Sequence, residues 1–518
     1  LNIVNRFSEN ASEIITKMVI DDEKYKSVAY ILNKVNKPKL DKMIFSFLKR
    51  LSYILFLTCS LSAFSQVGLK SKIVDFTTYE PLENASIYIE NSTIGSVSNV
   101  DGKFILSVPK RLENDTLVIS SIGFKSFKIL VSKFVNDEDI FLEEDIASLD
   151  EILIIADTRP KTGNDVVLKA IERLPDNLPE KPFMQKGFLR HRERNVKEYK
   201  WLIESAITLY DSSYTSGSKN NLKINVDENR KSYDLRDVDS LFAYSSYLRN
   251  TSSNFKMSSK QLRRDTIKTA TLIEAIKWND ERINGLEFLF KGKLNLVRNS
   301  NRSNSLFGEN ILDNHQFKID TILVDNDRKI YKIEIKKGFD FVGLNTKGIY
   351  NEGFESKGWI YIYWDTFAIK KIEYDLIASS DKQKGRSKSL LGTLNNHKLI
   401  ISYMEYDGKM YPNYYYYETP KLVNVGDRST DNLYKTAEEK KKLKEEQFYY
   451  SVQEILFTEI IQDTTEIEKA LQKTWSDDIF IQRPYNKEFW ENYNVLLESE
   501  EEEKLVQDLS KRATLFKE

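Results

Sequence analysis

Apolar and polar residues alternate one by one in many short runs of this 518-residue chain. The clearest run is GWIYIYWDTFAIKKIEY, at residues 358–374. Successive side chains of a β-strand point to opposite faces, so alternation with a period of two predicts strands. Tyrosine and phenylalanine, with 28 residues each, also favour strands. The chain is therefore predicted to be mainly β with some α, an α+β fold.

The same run places aromatic residues in a row that suits a binding surface. Trp359, Tyr361 and Tyr363 share one face of the predicted strand. A second stretch, YYYY, puts two rings on each face of its strand, and Tyr415 and Tyr417 share one of these faces. Inside a curved sheet, such aromatic residues are expected to hold a lipid acyl chain or a glycan. Packing in the core or ordinary exposure is the alternative for both groups.

The charges of the chain exclude a general nucleic-acid binder. The 77 Lys and Arg residues face 78 Asp and Glu residues, whereas such a binder needs a basic excess. With one Cys and three His, a structural zinc site of the Cys/His type is excluded. No motif of a phosphate-binding loop, a serine hydrolase or a dinucleotide-binding fold is present. We therefore expect no metal and no cofactor, while a catalytic pair of carboxylates can be neither chosen nor excluded.

Residues 43–65, MIFSFLKRLSYILFLTCSLSAFS, have the pattern of a secretory signal peptide. A basic pair at 49–50 precedes an uncharged apolar stretch at 51–61. The small residues Ala63 and Ser65 then occupy the positions that a signal peptidase requires. The apolar stretch is short for a membrane-spanning helix, which needs about 20 residues. This pattern predicts export from the cytoplasm.

The start of the chain does not fit a signal peptide that begins at the start codon. Residues 1–42 are polar, and we interpret them as an extension from a misplaced gene start. The mature protein is then expected to begin at Gln66. The alternative to cleavage before Gln66 is a lipid anchor on Cys59. Thr58, which precedes this cysteine, is larger than the residue that normally stands before a lipidated cysteine.

The stretch SNVDGKFILSVP, at residues 98–109, fits either a calcium loop or a turn between strands. Asn99 and Asp101 offer at most two oxygen ligands, and Val108 stands where a calcium loop requires Glu. Asp-Gly between alternating runs is instead a strong hairpin signal. Asp101 and Gly102 are therefore predicted to form a two-residue turn with positive φ.

Residues 66–145 consist of short alternating runs separated by polar turns, one of them at Gly123. The stretches KIVDFTTYEPLENASIYIENSTIGSVSNVDGKFILSVP, LVISSIGFKSFKI and LEEDIASLDEILI follow in that order. This order resembles the carboxypeptidase-regulatory-like domain of Bacteroidetes envelope proteins, a seven-stranded, prealbumin-like sandwich. Ser71 and Ile73 depart from the family pattern, at positions that carry turn geometry rather than chemistry. The resemblance implies a non-catalytic module, and neither an H-x-x-E nor an H-E-x-x-H zinc motif occurs.

The remainder of the chain is predicted to form a linker with a helix, a large sheet and an acidic helix. The linker and its helix are expected at 146–182. Long alternating runs at 183–490 predict a curved, antiparallel, half-barrel-like sheet with peripheral helices and a polar insertion at about 215–270. Residues 491–518 predict the acidic helix. This order resembles the pre-barrel region of uncharacterised Bacteroidetes outer-membrane proteins, and its hairpins resemble the half-barrel of periplasmic lipoprotein carriers.

These patterns predict a non-enzymatic protein of a Gram-negative cell envelope. It is expected in the periplasm or associated peripherally with the outer membrane. A lipid, a glycan or an outer-membrane protein is the expected partner. The alternative is an envelope hydrolase that acts on glycans or peptides through an unidentified acidic pair, and turnover of such a substrate would distinguish it.

Overall fold

The computed structural model describes most of the chain after residue 65. The described residues are 66–145, 159–194, 199–214, 222–233, 274, 311–338, 354–381, 384–385, 387–388, 394, 396–422, 436–439, 448–481 and 483–512. The predicted signal peptide, the extension before it, Cys59 and the linker residues 146–158 lie outside them. The chain divides into two compact units, and the fold described below is that of the second, Val67–Glu518.

The first part of this unit is a seven-stranded β-sandwich, as predicted. Its strands are β1 (Gln66–Asp75), β2 (Ser86–Ile89), β3 (Gly95–Val97), β4 (Lys103–Pro109), β5 (Thr116–Ser120), β6 (Phe127–Leu130) and β7 (Ile140–Leu142). One sheet has the order β4-β1-β7, and the other has the order β3-β2-β5-β6. Alternate residues of β4 are buried, so Phe104 and Leu106 enter a core that also contains Ile73, Ile87 and Ile119.

The turn at Asp101 and Gly102 joins the two sheets of the sandwich. Because β3 and β4 belong to different sheets, the predicted hairpin is wrong. The Gly102 N–H donates to the Asn99 carbonyl oxygen (2.9 Å), and Asn99 Oδ1 accepts from the backbone N–H of Asp101 (3.0 Å) and Lys103 (2.9 Å). Only Gly102 of the predicted pair has a positive φ, of 74°. A Cβ there would lie 2.3 Å from the Ile73 carbonyl oxygen, so the position requires glycine.

Ten strands form one open antiparallel sheet, which confirms the predicted mainly β fold with a large second sheet. They are β8 (Phe183–Arg194), β9 (Tyr199–Asp211), β10 (Leu222–Tyr233), β11 (His315–Asp325), β12 (Arg328–Gly338), β13 (Phe354–Tyr363), β14 (Ile369–Ala378), β15 (Asn396–Tyr406), β16 (Lys409–Leu422) and β17 (Phe448–Ile461). Their order across the sheet is β10-β9-β8-β17-β16-β15-β14-β13-β12-β11. Of these ten strands, β8 comes first in the chain and β17 comes last, yet the two pair with each other inside the sheet, and the edge strands are β10 and β11.

A polar insertion into the sheet was predicted at about 215–270. For residues 222–233 this prediction is wrong, because they form β10 and pair with β9 in the sheet. Its sequence, LKINVDENRKSY, lacks a clear apolar alternation, yet its polar side chains find partners in the fold. Asn229 Nδ2 donates to the Ile479 carbonyl oxygen (3.1 Å), and Arg230 lies 2.6 Å from Glu204 on β9. Tertiary partners that the local pattern does not reveal therefore stabilise this strand.

Helices pack on both faces of the large sheet. In the described residues they are α1 (Gly163–Glu172), α2 (Leu174–Asn177), α3 (Ile311–Asn314), α4 (Thr464–Leu471), α5 (Lys487–Glu491) and α6 (Glu500–Arg512). Helix α1 packs on β11 and β13 and buries Val166, Val167 and Ala170 completely. None of these helices has the length and apolar character that crossing a membrane requires.

The two faces of the large sheet differ in chemistry. The apolar face carries residues such as Ile203, Ile360 and Ile401, which are at most 1% exposed and share the main core with α1. Alternate residues of the same strands form the opposite surface, which we call the charged face. The strand registers place on it Arg190, Arg192, Glu204, Lys332, Trp359, Lys371, Glu373, Asp375, Lys398, Tyr416 and Glu454.

The stretch from the start of α5 to the end of α6, which we call the C-terminal segment, connects the sandwich to the charged face. Asn494 Oδ1 accepts from the Ser107 N–H (2.8 Å), and Asn494 Nδ2 donates to the Ser107 carbonyl oxygen (3.3 Å). Asn99 Nδ2 donates to the Glu498 carbonyl oxygen (2.8 Å). A small apolar cluster contains residues of all three parts, among them Val97, Phe188, Tyr414, Trp490 and Leu496. The sandwich is therefore fixed to the sheet by polar and apolar contacts together.

A direct backbone contact also joins the sandwich to the edge of the sheet. Gly123 lies between the paired strands β5 and β6, with φ 93°. Its N–H donates to the Val324 carbonyl oxygen on β11 (2.7 Å). The turn predicted at this glycine therefore contacts the large sheet.

Candidate functional site

The aromatic residues predicted to bind a ligand lie on opposite faces of the large sheet. Tyr415 and Tyr417 belong to the apolar face and are exposed by 0% and 3%. The Tyr415 ring packs edge-on against Phe457, with 5.7 Å between the centroids. These two tyrosines fill the core, so they share no surface with the aromatic residues of β13.

The three aromatic residues of β13 share the charged face, but only one of them is accessible. Tyr361 and Tyr363 are exposed by 7% and 4%. The Tyr363 hydroxyl donates to Asp325 Oδ2 (2.6 Å). Trp359 is half-buried, and Lys332 Nζ lies 4.1 Å from the centroid of its indole ring. The predicted row of rings is therefore reduced, at the surface, to Trp359.

Trp359 lines a cleft of about 660 Å³ between the large sheet and the sandwich. The segment before β2 forms the sandwich wall, and strands β12 to β15 form the sheet wall. We call it the Trp359 cleft, and its charged, amide and indole side chains are Glu83, Asn84, Glu334, Lys336, Glu355, Lys357, Trp359, Glu373, Asp375 and Lys398. Carboxylates and ammonium groups around one aromatic ring suit a polar ligand better than an acyl chain.

Asp375 is a buried carboxylate of this cleft with capacity for a further hydrogen bond. It lies between Lys357 and Lys398 in the strand register. Its Oδ1 is buried and has no hydrogen-bond donor within the described part of the chain. Burial raises the pKa of Asp375 above its ordinary value, Lys398 opposes this effect, and the negative charge of Glu373 adds to it. A ligand hydroxyl or ammonium group would supply the missing donor.

A second cleft, of about 700 Å³, lies between β2 and the turns that follow β11 and β15. Its central cation, Arg328, already has protein partners. The guanidinium lies 2.8 Å from Asp365 Oδ1, also pairs with Glu405, and stacks 4.0 Å from the centroid of the Tyr363 ring. Because these charges compensate one another, this cleft is the weaker candidate of the two.

The histidines belong to the interior of the large sheet. His191, His315 and His397 are at most 6% exposed. His315 Nε2 lies 3.1 Å from the Tyr374 hydroxyl, and burial lowers the pKa of this histidine to about 4. Within the described residues, no three His, Cys, Asp or Glu side chains are arranged to hold a metal ion.

The strand order of the sandwich agrees with a known domain family. Residues 69–154 match the CarboxypepD_reg-like domain. This match confirms the resemblance found in the sequence, and it ends before the large sheet begins. The chain is also 31% identical, over 119 residues, to the TonB-dependent receptor SusC of Bacteroides thetaiotaomicron. That similarity covers 23% of this chain and only 11% of the receptor.

Comparison with solved structures gives low scores. A LolA superfamily protein from Nitrosomonas europaea aligns over 62% of this chain and 99% of its own, with 9% identity and a TM-score of 0.20. An outer-membrane lipoprotein-sorting protein domain from Vibrio parahaemolyticus aligns over 59% and 98%, with 9% identity and a TM-score of 0.19. Scores at this level do not assign a fold or a function to the large sheet.

A buried ion network lies beside the CarboxypepD_reg-like domain, and the sequence interpretation missed it. Arg190 and Arg192 alternate on β8, and each is 3% exposed. Arg190 lies 2.8 Å from Glu204, while Arg192 lies 2.7 Å from Glu502 of α6 and also pairs with Glu454. The alternating arginines of FLRHRER were the available signal. Because both arginines are paired with carboxylates, the network holds α6 against β8 rather than offering a ligand site.

Glu498 joins the same network from the C-terminal segment. Its Oε1 lies 3.9 Å from Arg190 Nε, and the side chain is 16% exposed. Burial raises the pKa of Glu498 to about 7, because the attraction of Arg190 is offset in part by the negative charge of Glu204. The contact between the C-terminal segment and the sheet therefore contains a group that titrates near neutral pH.

Proposed function

We propose that this chain is a non-enzymatic protein of the bacterial envelope that binds a carbohydrate in the Trp359 cleft. The observation that carries the proposal is the half-buried Trp359 beside Asp375, whose buried Oδ1 has no donor in the described residues. The match to the CarboxypepD_reg-like domain and the partial similarity to a TonB-dependent receptor support a place in the envelope.

The chemistry of the cleft favours a carbohydrate over a lipid. An indole face packs against the C–H groups of a sugar ring, a carboxylate accepts from one hydroxyl, and a neighbouring ammonium group donates to the next. Asp375 between Lys357 and Lys398 has this arrangement. An acyl chain would need an apolar cavity, whereas the apolar face of the sheet is filled by side chains such as Ile360.

A hydrolase is the second candidate, and one observation favours it. Glu373 and Asp375 lie two residues apart on the same face of β14 and line the same cleft. The pKa of Asp375 is raised, as a general acid requires, and Glu373 would then serve as the base or nucleophile. Hydrolysis of a bound oligosaccharide that stops on Asp375→Asn would establish this candidate and overturn the non-enzymatic proposal.

The binding proposal predicts that Trp359→Ala weakens carbohydrate binding about tenfold or more, because truncation of a central aromatic side chain costs about 2 kcal/mol or more. The purified chain is screened on an oligosaccharide array, and hits are measured by calorimetry. Tyr406→Ala is the matched control, since Tyr406 is also half-buried but lines the second cleft.

Three results would contradict this prediction. Binding of no oligosaccharide by the folded wild type would overturn the carbohydrate assignment. Equal binding by Trp359→Ala, or a loss on Tyr406→Ala instead, would overturn the assignment of the site. Thermal melts of both variants show whether a loss of binding is only a loss of fold.

A further inference from the structure

Three aromatic side chains form an exposed cluster on the sandwich, away from the residues of both clefts. Phe76, Tyr79 and Phe141 are exposed by 53%, 69% and 44%. The Phe141 ring meets the other two edge-on, at centroid distances of 6.4 Å and 5.8 Å. We call this cluster the aromatic patch. Contiguous aromatic side chains at a surface mark sites where another molecule is bound.

The position of Tyr79 in this patch has no evident structural purpose. Its φ of 60° lies in the left-handed region, which is unfavourable for an aromatic residue. The turn that holds it is closed without the ring, since Asp75 Oδ1 accepts from the Thr77 N–H (2.7 Å) and the Tyr79 N–H donates to the Asp75 carbonyl oxygen (2.9 Å). A strained residue whose ring is exposed points to a role in recognition.

The patch lies along an open sheet edge. Strand β7 is the outer strand of the order β4-β1-β7. The Leu142 carbonyl oxygen accepts from the Phe76 N–H (2.9 Å), so Leu142 faces β1. Backbone groups of neighbouring residues in a strand point to opposite sides, and those of Phe141 therefore point away from β1. Among the residues that the structure describes, the edge is occupied only beyond this point, where the Lys125 N–H donates to the Glu143 carbonyl oxygen (2.8 Å).

Acidic residues surround the patch. Asp139 and Glu143 lie directly before and after β7, two residues from Phe141 on either side, and both are exposed. Glu80 and Glu144 are also exposed. Glu143 pairs with a lysine, but Asp139, Glu80 and Glu144 have no cationic partner in the described part of the protein. The aromatic patch therefore lies in a negative electrostatic field, which attracts a basic partner.

We propose that the aromatic patch binds an extended, basic segment of a partner protein. The segment lies along β7 and pairs with the free backbone groups of Phe141. It places an apolar side chain against the three rings and basic side chains near the surrounding acids. Strand addition with side-chain pockets beside it is a common mode of peptide recognition. The proposal rests on the sandwich alone and is independent of the carbohydrate site.

The test measures binding of a fluorescent heptapeptide, Lys-Lys-Val-Phe-Val-Lys-Lys, to the full chain by anisotropy. We expect saturable binding that weakens as salt rises. We also expect the affinity to fall at least tenfold when Glu replaces every Lys of the peptide, or when the central backbone amides of the peptide are N-methylated. No saturable binding, or equal binding of the acidic peptide, would overturn the proposal. Equal binding of the N-methylated peptide would overturn its strand-addition geometry.

Two variants of the protein locate the site. Phe141→Ser and Tyr79→Asn should each weaken the affinity for the basic peptide at least fivefold. Leu168→Ser, at an exposed apolar residue of α1, should leave this affinity unchanged. Asn tolerates a positive φ, so Tyr79→Asn should keep or raise the melting temperature while binding falls. Unchanged binding by both patch variants, or an equal loss on Leu168→Ser, would overturn the assignment.

Discussion

Glu498 shows how burial changes the properties of a single carboxyl group. It lies in the segment that fastens the sandwich to the sheet, beside Arg190. Two other carboxylates of the same network behave in the opposite way. The pKa values of Glu204 and Glu454 are lowered, since nearby arginines outweigh burial at both residues. Glu498 lies 3.9 Å from Arg190, whereas Glu204 lies 2.8 Å from it, and this difference in distance helps to separate the raised pKa of Glu498 from the lowered pKa of Glu204.

We predict that Glu498 makes the protein more stable at pH 5 than at pH 8. The pKa of its carboxyl rises from 4.5 to about 7 on folding, so the folded state binds more protons between these values. The free energy of unfolding therefore falls as pH rises through this window, by about 3 kcal/mol if no other group intervenes. Urea denaturation of wild type and Glu498→Gln from pH 5 to 8 measures the effect.

The free energy of unfolding of Glu498→Gln should lose this pH dependence, and it should exceed that of the wild type only at the higher pH. Glu501→Gln is the control, since Glu501 is an exposed residue of the same segment. A Glu498→Gln protein with an unchanged pH profile would show that this carboxyl does not titrate in the window.

At the scale of elements, the turn after β3 shows how one glycine positions two sheets. The two oxygen-bearing residues that suggested a calcium loop are both used in hydrogen bonds. Asn99 closes the turn, and Asp101 Oδ2 accepts from the Glu500 N–H at the start of α6 (2.7 Å). That helix begins with a capping box, in which Ser499 Oγ accepts from Glu502 N and Glu502 Oε2 accepts from Ser499 N. The turn and the acidic helix therefore meet at their polar ends.

We predict that Gly102→Ala destabilises the protein by about 2 to 4 kcal/mol. The new Cβ would lie 2.3 Å from the Ile73 carbonyl oxygen, in addition to the cost of alanine at φ 74°. Gly408→Ala is the matched control, because it has φ 69° but no atom within 4 Å of its Cβ position, and should cost only about 1 kcal/mol. Equal losses in chemical denaturation would show that backbone conformation alone, and not the contact with Ile73, governs the turn.

At the scale of the whole molecule, the C-terminal segment makes the sandwich and the large sheet one structure. It contacts β4 through Asn494 and Ser107, the turn through Asn99, and the buried arginines through Glu502. These contacts are distant in sequence and bury charged groups whose separation would be costly. The three parts are therefore expected to unfold together.

We predict one cooperative unfolding transition for the sandwich and the sheet. All 6 Trp residues lie outside residues 66–145, so Trp fluorescence follows the sheet, and hydrogen exchange of the sandwich amides follows the other part. Both should give the same midpoint in urea. Asn494→Ala combined with Asn99→Ala should separate the midpoints by weakening the connection, while Asn91→Ala, in an exposed turn, should not. Separate midpoints in the wild type would disprove the coupling.

Local sequence patterns were enough to predict most of the strands, the faces of their side chains and the domain type. Alternation identified β13, β14 and β16 and correctly placed Tyr415 with Tyr417, because the period of two is a local property of extended backbone. It did not show that those rings and Trp359 lie on opposite faces of one sheet, since that depends on the register between strands.

Which residues remain accessible, and which charges are compensated, depends on contacts between distant parts of the chain. Tyr361 and Trp359 look equivalent in the sequence, yet the fold covers the first and leaves the second beside a cleft. The polar strand β10 and the buried Arg192 were likewise unpredictable, because their partners lie far away in the chain. Burial and charge pairing are properties of distant contacts, so local periodicity indicates the strands but not the site.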